Sequence, residues 1–247
     1  MSTSMTLGEL RTAARQRADM VNSQFVTDSE FNSYLNQSYF ELYDLLVQKY
    51  GNDYYVAPPL LIPTDGSSMF YPLPDGTNYS AAPAFYKILG LDLQLSPGSP
   101  PSYVTVKPFA FIDRNRYAVP NFQSFYGITN LRYRIKGNQL WLTPIPAGNQ
   151  VLQLWYVPTL TTLGLDSDQC QGVSGWTEYI IIDAAIKAMQ KEESDVSVLM
   201  SQKQAMILRI EAAAENRDAG SPSAVTDARW SDGSMPTGNG SGFGGSW

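Results

Sequence analysis

The chain has 247 residues, 43% of them hydrophobic, enough to bury a folded core, so disorder throughout is excluded. A net charge of -6 and a pI near 4.7 argue against a basic nucleic-acid-binding protein, and the chain has no histidine and only one cysteine, which excludes an intrachain disulfide and the common zinc sites. The sequence has no apolar run of about 18 residues and no signal-peptide pattern at its start, so we expect a soluble protein made in the cytoplasm.

Two helices are predicted in the first 51 residues. Two pairs have the spacing of capping boxes, Thr6 with Glu9 and Thr27 with Glu30. The first pair begins a helix that runs to about Met20, and the second begins a helix that ends at Gly51. The second helix carries two neighbouring apolar stripes, more than one packed partner needs. We therefore expect part of it to lie against another subunit. The candidate residues for contact with another subunit or a partner protein are Tyr39, Tyr43, Leu46 and Tyr50.

Residues 57–160 replace this helical period by prolines, glycines, aromatic residues and β-branched residues, which is typical of β structure. A hairpin with Gly137-Asn138 as its two-residue turn is the sharpest signal, and the strand before it alternates apolar with basic side chains. The predicted strands are residues 60–62, 69–73, 86–95, 103–107, 131–136, 139–143 and 151–156.

The aromatic segment inside this region has no clear period and fits either a contact surface or a plug at the end of a small sheet. Its candidate contact residues are Tyr117, Phe122, Phe125 and Tyr126. On the first interpretation they contact a partner protein. In an alternative function they form a sugar-stacking surface of a carbohydrate-binding or receptor-binding component.

Helical periodicity returns from Ser174, and a last helix is expected to be capped by Ser194 or Asp195 and to end near Gly220. In the third helix we expect Asp183 and Lys187 to face solvent, one turn apart. The predicted fold class is α+β: an antiparallel bundle of about four helices, with an inserted antiparallel β module. The predicted boundaries are 1–56 and 161–220 for the two halves of the bundle, 57–160 for the module and 221–247 for an extended arm.

The C-terminal arm is rich in glycine and serine but carries three large aromatic side chains. It is either a plain flexible terminus or a segment that orders by docking on a neighbour, and in the second case Trp230, Phe243 and Trp247 are interface candidates.

No catalytic, cofactor-binding or metal-binding motif is found, and we expect no enzyme activity. A cell-wall hydrolase working through paired acids stays open as a third class, because two carboxylates suffice for glycoside hydrolysis. The β region offers Asp65, Asp75, Asp92 and Asp113 for that role.

The segments follow in the order TLGELRTAARQRAD, VTDSEFNSYLNQSYFELYDLLVQKYG, a β insert, WTEYIIIDAAIKAMQKEESD and LMSQKQAMILRIEAAAENRDAGSP. This order resembles that of the head-to-tail connector (adaptor or head-completion) proteins of tailed bacteriophages. The resemblance implies a virion protein at the head-tail junction, forming a ring with twelve copies as the expected number. It also implies a portal protein on one side, a tail or nozzle protein on the other, and a lumen through which genomic DNA passes during ejection without specific binding. The helices would form the ring body and the β module would face the tail.

Overall fold

The structure is a computed structural model that describes residues 5–50, 57–96, 98, 100–116, 131–171, 173 and 175–215. Both capping boxes are confirmed, since the Thr6 and Thr27 hydroxyls accept from the amides of Glu9 and Glu30 and each glutamate accepts from the amide of its threonine. The helices are α1 (Leu7–Arg17), α2 (Asp28–Lys49), the four-residue α3 (Asn78–Ala81), α4 (Thr177–Lys191) and α5 (Ser197–Glu215).

The four long helices share one apolar core. Contacts of Glu30 with Lys191 and of Tyr50 with Trp176 show that α2 and α4 run antiparallel. Helix α1 contacts both of these helices, through Arg15 to Asp28 and through Arg17 to Glu178. A mixed α+β fold is thus confirmed, whereas a regular antiparallel four-helix bundle is not.

Within the described ranges, eight strands form two four-stranded sheets, in the orders β1-β8-β3-β4 and β2-β7-β6-β5. Every pairing is antiparallel except that of β5 with β6, which is parallel, so the expectation of a purely antiparallel module was wrong at this edge. The strands are β1 (Leu60–Pro63), β2 (Phe70–Pro72), β3 (Phe85–Ser96), β4 (Ser102–Thr105), β5 (Lys107–Pro108), β6 (Arg132–Lys136), β7 (Gln139–Thr143) and β8 (Val151–Pro158).

The two sheets bury one shared apolar core, to which both contribute alternate side chains. Tyr133 of β6 and Leu140 and Leu142 of β7 point inward, and the predicted hairpin is confirmed, with Gly137 at a φ of 58° in its turn. Basic side chains of β6 and Trp141 of β7 alternate with these buried positions, so they lie on the outer face of the second sheet.

A third, small apolar cluster joins helix α2 to the first sheet. Tyr43 and Val47 of α2 pack against Val157 of β8, and the Tyr43 hydroxyl donates to the Pro158 carbonyl at 2.6 Å. The described helices include none that is both long enough and apolar enough to cross a membrane. The predicted domain boundaries stay predictions.

Candidate functional site

The interface candidates on α2 are covered within the chain itself. Tyr39, Tyr43 and Leu46 are exposed by 2%, 3% and 0%, and Tyr50 is half-buried, its hydroxyl accepting from Trp176 Nε1 at 2.9 Å. The Tyr39 hydroxyl donates to the Gln171 carbonyl at 2.7 Å and accepts from the Gln171 amide at 3.1 Å. Tyr39, Tyr43 and Leu46 therefore need no second subunit to cover them, and the assignment of these four residues to an interface stays a prediction.

A groove of about 480 Å³ lies beside Tyr39 and Tyr43, where residues 158–163 lead out of β8. The carboxylate in its described lining is Asp168, which accepts from the amides of Gly164 at 2.7 Å and Leu165 at 2.8 Å. These backbone hydrogen bonds, that of Leu165 foremost, lower the pKa of Asp168. A lone, already bonded carboxylate offers no acid-base pair, so the groove carries no chemistry we can assign.

An ionic cluster lies where α2, α4 and α5 meet. Asp183 of α4 is only 3% exposed, so the expectation that it faces solvent was wrong. Its carboxylate accepts from Lys187 Nζ at 2.5 Å, from Lys203 Nζ at 2.8 Å and from the Ser38 hydroxyl at 2.7 Å. Lys203 also donates to Glu41 at 2.8 Å, so one lysine of α5 joins carboxylates of both other helices.

The electrostatics of this ionic cluster indicate a structural role. Burial acts to raise the pKa of Asp183, but hydrogen bonds from Lys187, Lys203 and Ser38 outweigh it and hold that pKa well below its ordinary value. Burial likewise acts to lower the pKa of Lys203, yet its bonds to Asp183 and Glu41 raise it. Asp183 and Lys203 are thus each held in the charged form by their neighbours. The cluster is thus suited to fixing three helices and not to proton transfer.

Three of the four acids proposed for a hydrolase accept hydrogen bonds with structural roles. Asp65 accepts from the amides of Ser67 and Ser68, Asp75 from those of Thr77 and Asn78, and Asp92 from Trp155 Nε1 at 2.9 Å. Within the described ranges no group of three His, Cys, Asp or Glu side chains could hold a metal ion. Cys170 is buried, which raises the pKa of its thiol to about 12 and leaves it unreactive.

The outer face of the second sheet combines aromatic rings with cations, and we call it the basic aromatic face. The Trp141 ring contacts those of Phe70, Phe109 and Phe111 at centroid distances of 5.9, 5.1 and 6.2 Å. Three cations lie over these rings: Arg114 and Arg134 over Phe111 at 4.7 and 5.6 Å, and Lys136 over Phe70 at 5.4 Å. Among the described residues no carboxylate pairs with any of these three cations.

The segment 107–136, which contains these three cations, has a net charge of opposite sign to that of the whole chain. Residues 107–136 carry six Lys or Arg and one Asp, whereas the whole chain carries 17 Lys or Arg and 23 Asp or Glu. Phe111 and Phe70 are 50% and 36% exposed, so aromatic surface is available beside the charges. Exposed aromatic and Arg side chains on one face are typical of protein contact surfaces.

The remaining sequence-predicted site residues lie outside the described residues and stay predictions: Tyr117, Phe122, Phe125, Tyr126, Trp230, Phe243 and Trp247. The sequence reasoning missed the basic aromatic face, although its signal was present. The alternation that buries Leu131 and Tyr133 also places Arg134 outward, and the hairpin register sets it opposite Trp141.

The described residues thus present exposed aromatic and basic side chains together on the second sheet. The chain matches the model of the SU10 adaptor protein family over residues 5–229. It belongs to this family of phage head-tail adaptor proteins and is a virion component that associates with other phage head or tail proteins. A structural family also favours a non-enzymatic role. No curated protein matches the chain at a significant level.

Proposed function

We propose that this protein forms an adaptor ring of twelve copies between the portal and the tail. The family match over residues 5–229 carries this proposal, because it covers the helices, both sheets and the connections between them. The described structure supports it physically, since the helices form a self-contained body and the module presents a separate contact face.

Within such a ring, the helices form the body and the β module faces the tail. The basic aromatic face supports the tail-side placement, because it lies on the outer face of the sheet and adjoins, through Arg116 and Leu131, the segment that holds the predicted contact residues Tyr117 and Tyr126. The carbohydrate-binding alternative depends on that same segment, and no described residue favours it over a protein contact.

DNA passes through the lumen of the proposed ring. Affinity for a phosphate backbone rises with the number of cations that neutralise it, so a wall that must release DNA should be poor in Lys and Arg. The net charge of -6 supports this passage without specific binding. The basic stretch 107–136 then belongs away from the lumen, which agrees with its assignment to a protein partner.

The proposal is tested by electron microscopy of purified portal rings mixed with this protein. We expect an added ring of density beneath the portal, whose rotational symmetry gives the copy number. Portal rings that gain no density at saturating protein overturn the proposal. A symmetry other than twelve corrects the number alone.

The C-terminal arm, residues 221–247, is proposed to reach the portal or an adjacent subunit. The family match ends at residue 229, so Trp230, Phe243 and Trp247 lie beyond it. We expect a chain ending at Gly220 to keep its unfolding midpoint but to bind portal rings more weakly. A full-length chain with these three aromatic residues replaced by Ala separates their effect from that of arm length. Undiminished portal binding by both variants would show that the arm takes no part in assembly.

A further inference from the structure

The three cations of the basic aromatic face differ from the lysines and arginines of the helices. Seven basic side chains of the helical part each form an ion pair with a carboxylate: Arg11, Arg15, Arg17, Lys49, Lys187, Lys191 and Lys203. Arg114, Arg134 and Lys136 pair with no carboxylate among the described residues, although the chain carries 23 Asp or Glu. The face thus presents positive charge that the described part of the chain does not neutralise.

Two of these cations are held in place by contacts within the face itself. Arg114 and Arg134 both lie over the Phe111 ring, at 4.7 and 5.6 Å. Arg114 also donates to the Phe111 carbonyl at 3.3 Å, and Arg134 donates to the Phe109 carbonyl at 3.3 Å. A side chain that is already ordered loses less conformational entropy when a partner binds, so these arginines are prepared for a partner of opposite charge.

A cation already lies over each accessible ring of this face. Lys136 lies over Phe70 and Trp141 at 5.4 and 5.7 Å, as the two arginines lie over Phe111. A nucleic-acid base binds by stacking on an open aromatic ring, so here it would first have to displace a cation. A carboxylate instead pairs with the cations while they stay over the rings. The arrangement therefore favours an acidic partner over a stacked one.

The segment of the chain next to this face has no acid to offer. Residues 117–130, which lie between Arg116 and Leu131 in the sequence, contain neither Asp nor Glu. Residues 221–247 contain two Asp and one Arg, a net charge of -1 against the three cations of the face. Another protein is therefore the better source of the carboxylates that these cations lack.

We propose that the basic aromatic face binds an acidic segment of the protein on the tail side, whose carboxylates pair with Arg114, Arg134 and Lys136. This inference rests on the proposed adaptor ring and names the chemistry of the partner that the ring meets. Phe70 and Phe111, 36% and 50% exposed, become covered in the contact, and excluding water around the ion pairs strengthens them. Because the chain has a net charge of -6, an acidic partner is attracted only through a local basic surface such as this one.

The test uses Lys136→Glu in the full chain, with Lys87→Glu on β3 of the first sheet as the matched control. Both lysines are exposed, so we expect both isolated variants to keep the wild-type unfolding midpoint. Heads that carry the portal but lack this protein are mixed with each variant and with purified tails of the same phage. By electron microscopy we expect both variants to add a ring. Lys136→Glu alone should reduce tail joining, at least about tenfold, because like charges then face each other.

The outcomes separate this inference from the proposed function. Lys136→Glu heads that join tails as wild type does overturn the inference. An equal loss with Lys87→Glu overturns it too, because the effect is then one of net charge. A Lys136→Glu variant that keeps its unfolding midpoint but adds no ring places the face between copies and also overturns it. Wild-type protein that adds no ring overturns the proposed function itself, a different result.

Carbodiimide crosslinking of wild-type particles identifies what meets Lys136, because the reagent joins an amine to a carboxylate in contact with it. In tail-bearing particles we expect mass spectrometry to find Lys136 linked to an Asp or Glu of a tail protein. Lys136→Arg keeps the charge but lacks the amine, so it should join tails and lose this link. A link to a carboxylate of the same chain in the isolated protein, as the C-terminal arm would give, overturns the inference. Tail-bearing particles with no link at Lys136 overturn it as well.

Nucleic acid is the other class of partner that a basic surface attracts. A labelled oligothymidylate is titrated with the isolated wild-type protein and with Lys136→Glu, and binding is followed by fluorescence anisotropy. We expect no saturable binding by either protein at the ionic strength that permits tail joining. Saturable binding by wild type that Lys136→Glu abolishes would assign the face to DNA and overturn the inference.

Discussion

The helical part and the β module satisfy their acidic side chains in different ways. In the helical part Asp183 and Glu41 pair with lysines that come from other helices or from the next turn. In the module Asp65 and Asp75 instead accept hydrogen bonds from backbone amides within three residues, which stabilises turns. Charge thus joins distant segments at Asp183 and Glu41 and stabilises local turns at Asp65 and Asp75.

This difference determines which surfaces are left for partners. Because Lys203 is engaged inside, the exposed side of α5 from Val198 to Leu208 carries no charge. On the outer face of the module, Arg114, Arg134 and Lys136 instead lie over aromatic rings and pair with no carboxylate among the described residues. The described surface is therefore neutral on α5 and basic on the second sheet.

Breaking the ionic cluster tests the first half of this comparison and should have the largest effect. Asp183→Asn removes the buried charge that faces Lys187 and Lys203, and loss of one partner of a buried ion pair costs about 3 to 5 kcal/mol. We expect a decrease of that size in the free energy of unfolding, measured with urea. The matched control is Glu178→Gln in the same helix, whose carboxylate pairs with Arg17 at the surface and should cost at most about 1 kcal/mol. Equal costs would show that the cluster does not join the helices.

The same substitution changes the pH dependence of stability. The folded pKa of Asp183 lies below its unfolded value, so its contribution is present above the unfolded pKa and is lost as the pH falls through the folded one. Wild-type protein should therefore lose stability in this acidic range more steeply than Asp183→Asn. The measurement is a series of urea unfolding curves between neutral pH and about pH 3.

Local features of the fold were predictable from the sequence, and nonlocal ones were not. Capping boxes and the Gly137-Asn138 turn depend on neighbours within three residues, so pattern alone placed them. Asp183 has the spacing of a surface residue within its own helix. Lys203 lies 20 residues later in the sequence and reaches Asp183 only after α5 folds back, and this contact buries Asp183. Likewise, the apolar stripes of α2 showed that Tyr39 must be covered, but not that Gln171 of the same chain covers it.

Substitutions at two glycines of the module should have the next largest effect on the free energy of unfolding. Comparing them distinguishes backbone strain from steric crowding. Gly66 and Gly137 both have positive φ, at 77° and 58°. A Cβ at Gly66 would lie 2.8 Å from the Gly148 amide nitrogen, whereas one at Gly137 would meet nothing within 4 Å. We expect Gly137→Ala to cost about 1 kcal/mol from the left-handed conformation alone and Gly66→Ala about 2 to 4 kcal/mol. Equal losses in urea unfolding would mean that the loop holding Gly148 yields, and that the module is less rigid than its short-range bonds imply.

The smallest change in the free energy of unfolding is expected from a substitution on the basic aromatic face. This substitution tests whether the face serves a partner contact and not the stability of the module. Within the described residues Trp141 Nε1 is buried without an acceptor, whereas Trp155 Nε1 donates to Asp92 at 2.9 Å. Replacing each tryptophan by phenylalanine removes the same atoms, but only Trp155→Phe breaks a hydrogen bond, worth about 1 kcal/mol. Trp141→Phe should therefore change the free energy of unfolding by no more than about 0.5 kcal/mol, because deleting an unsatisfied donor offsets lost packing. If Trp141→Phe lowers the free energy of unfolding as much as Trp155→Phe does, the Trp141 ring stabilises the module itself. An outward contact role would then rest on Arg134 and Lys136 alone.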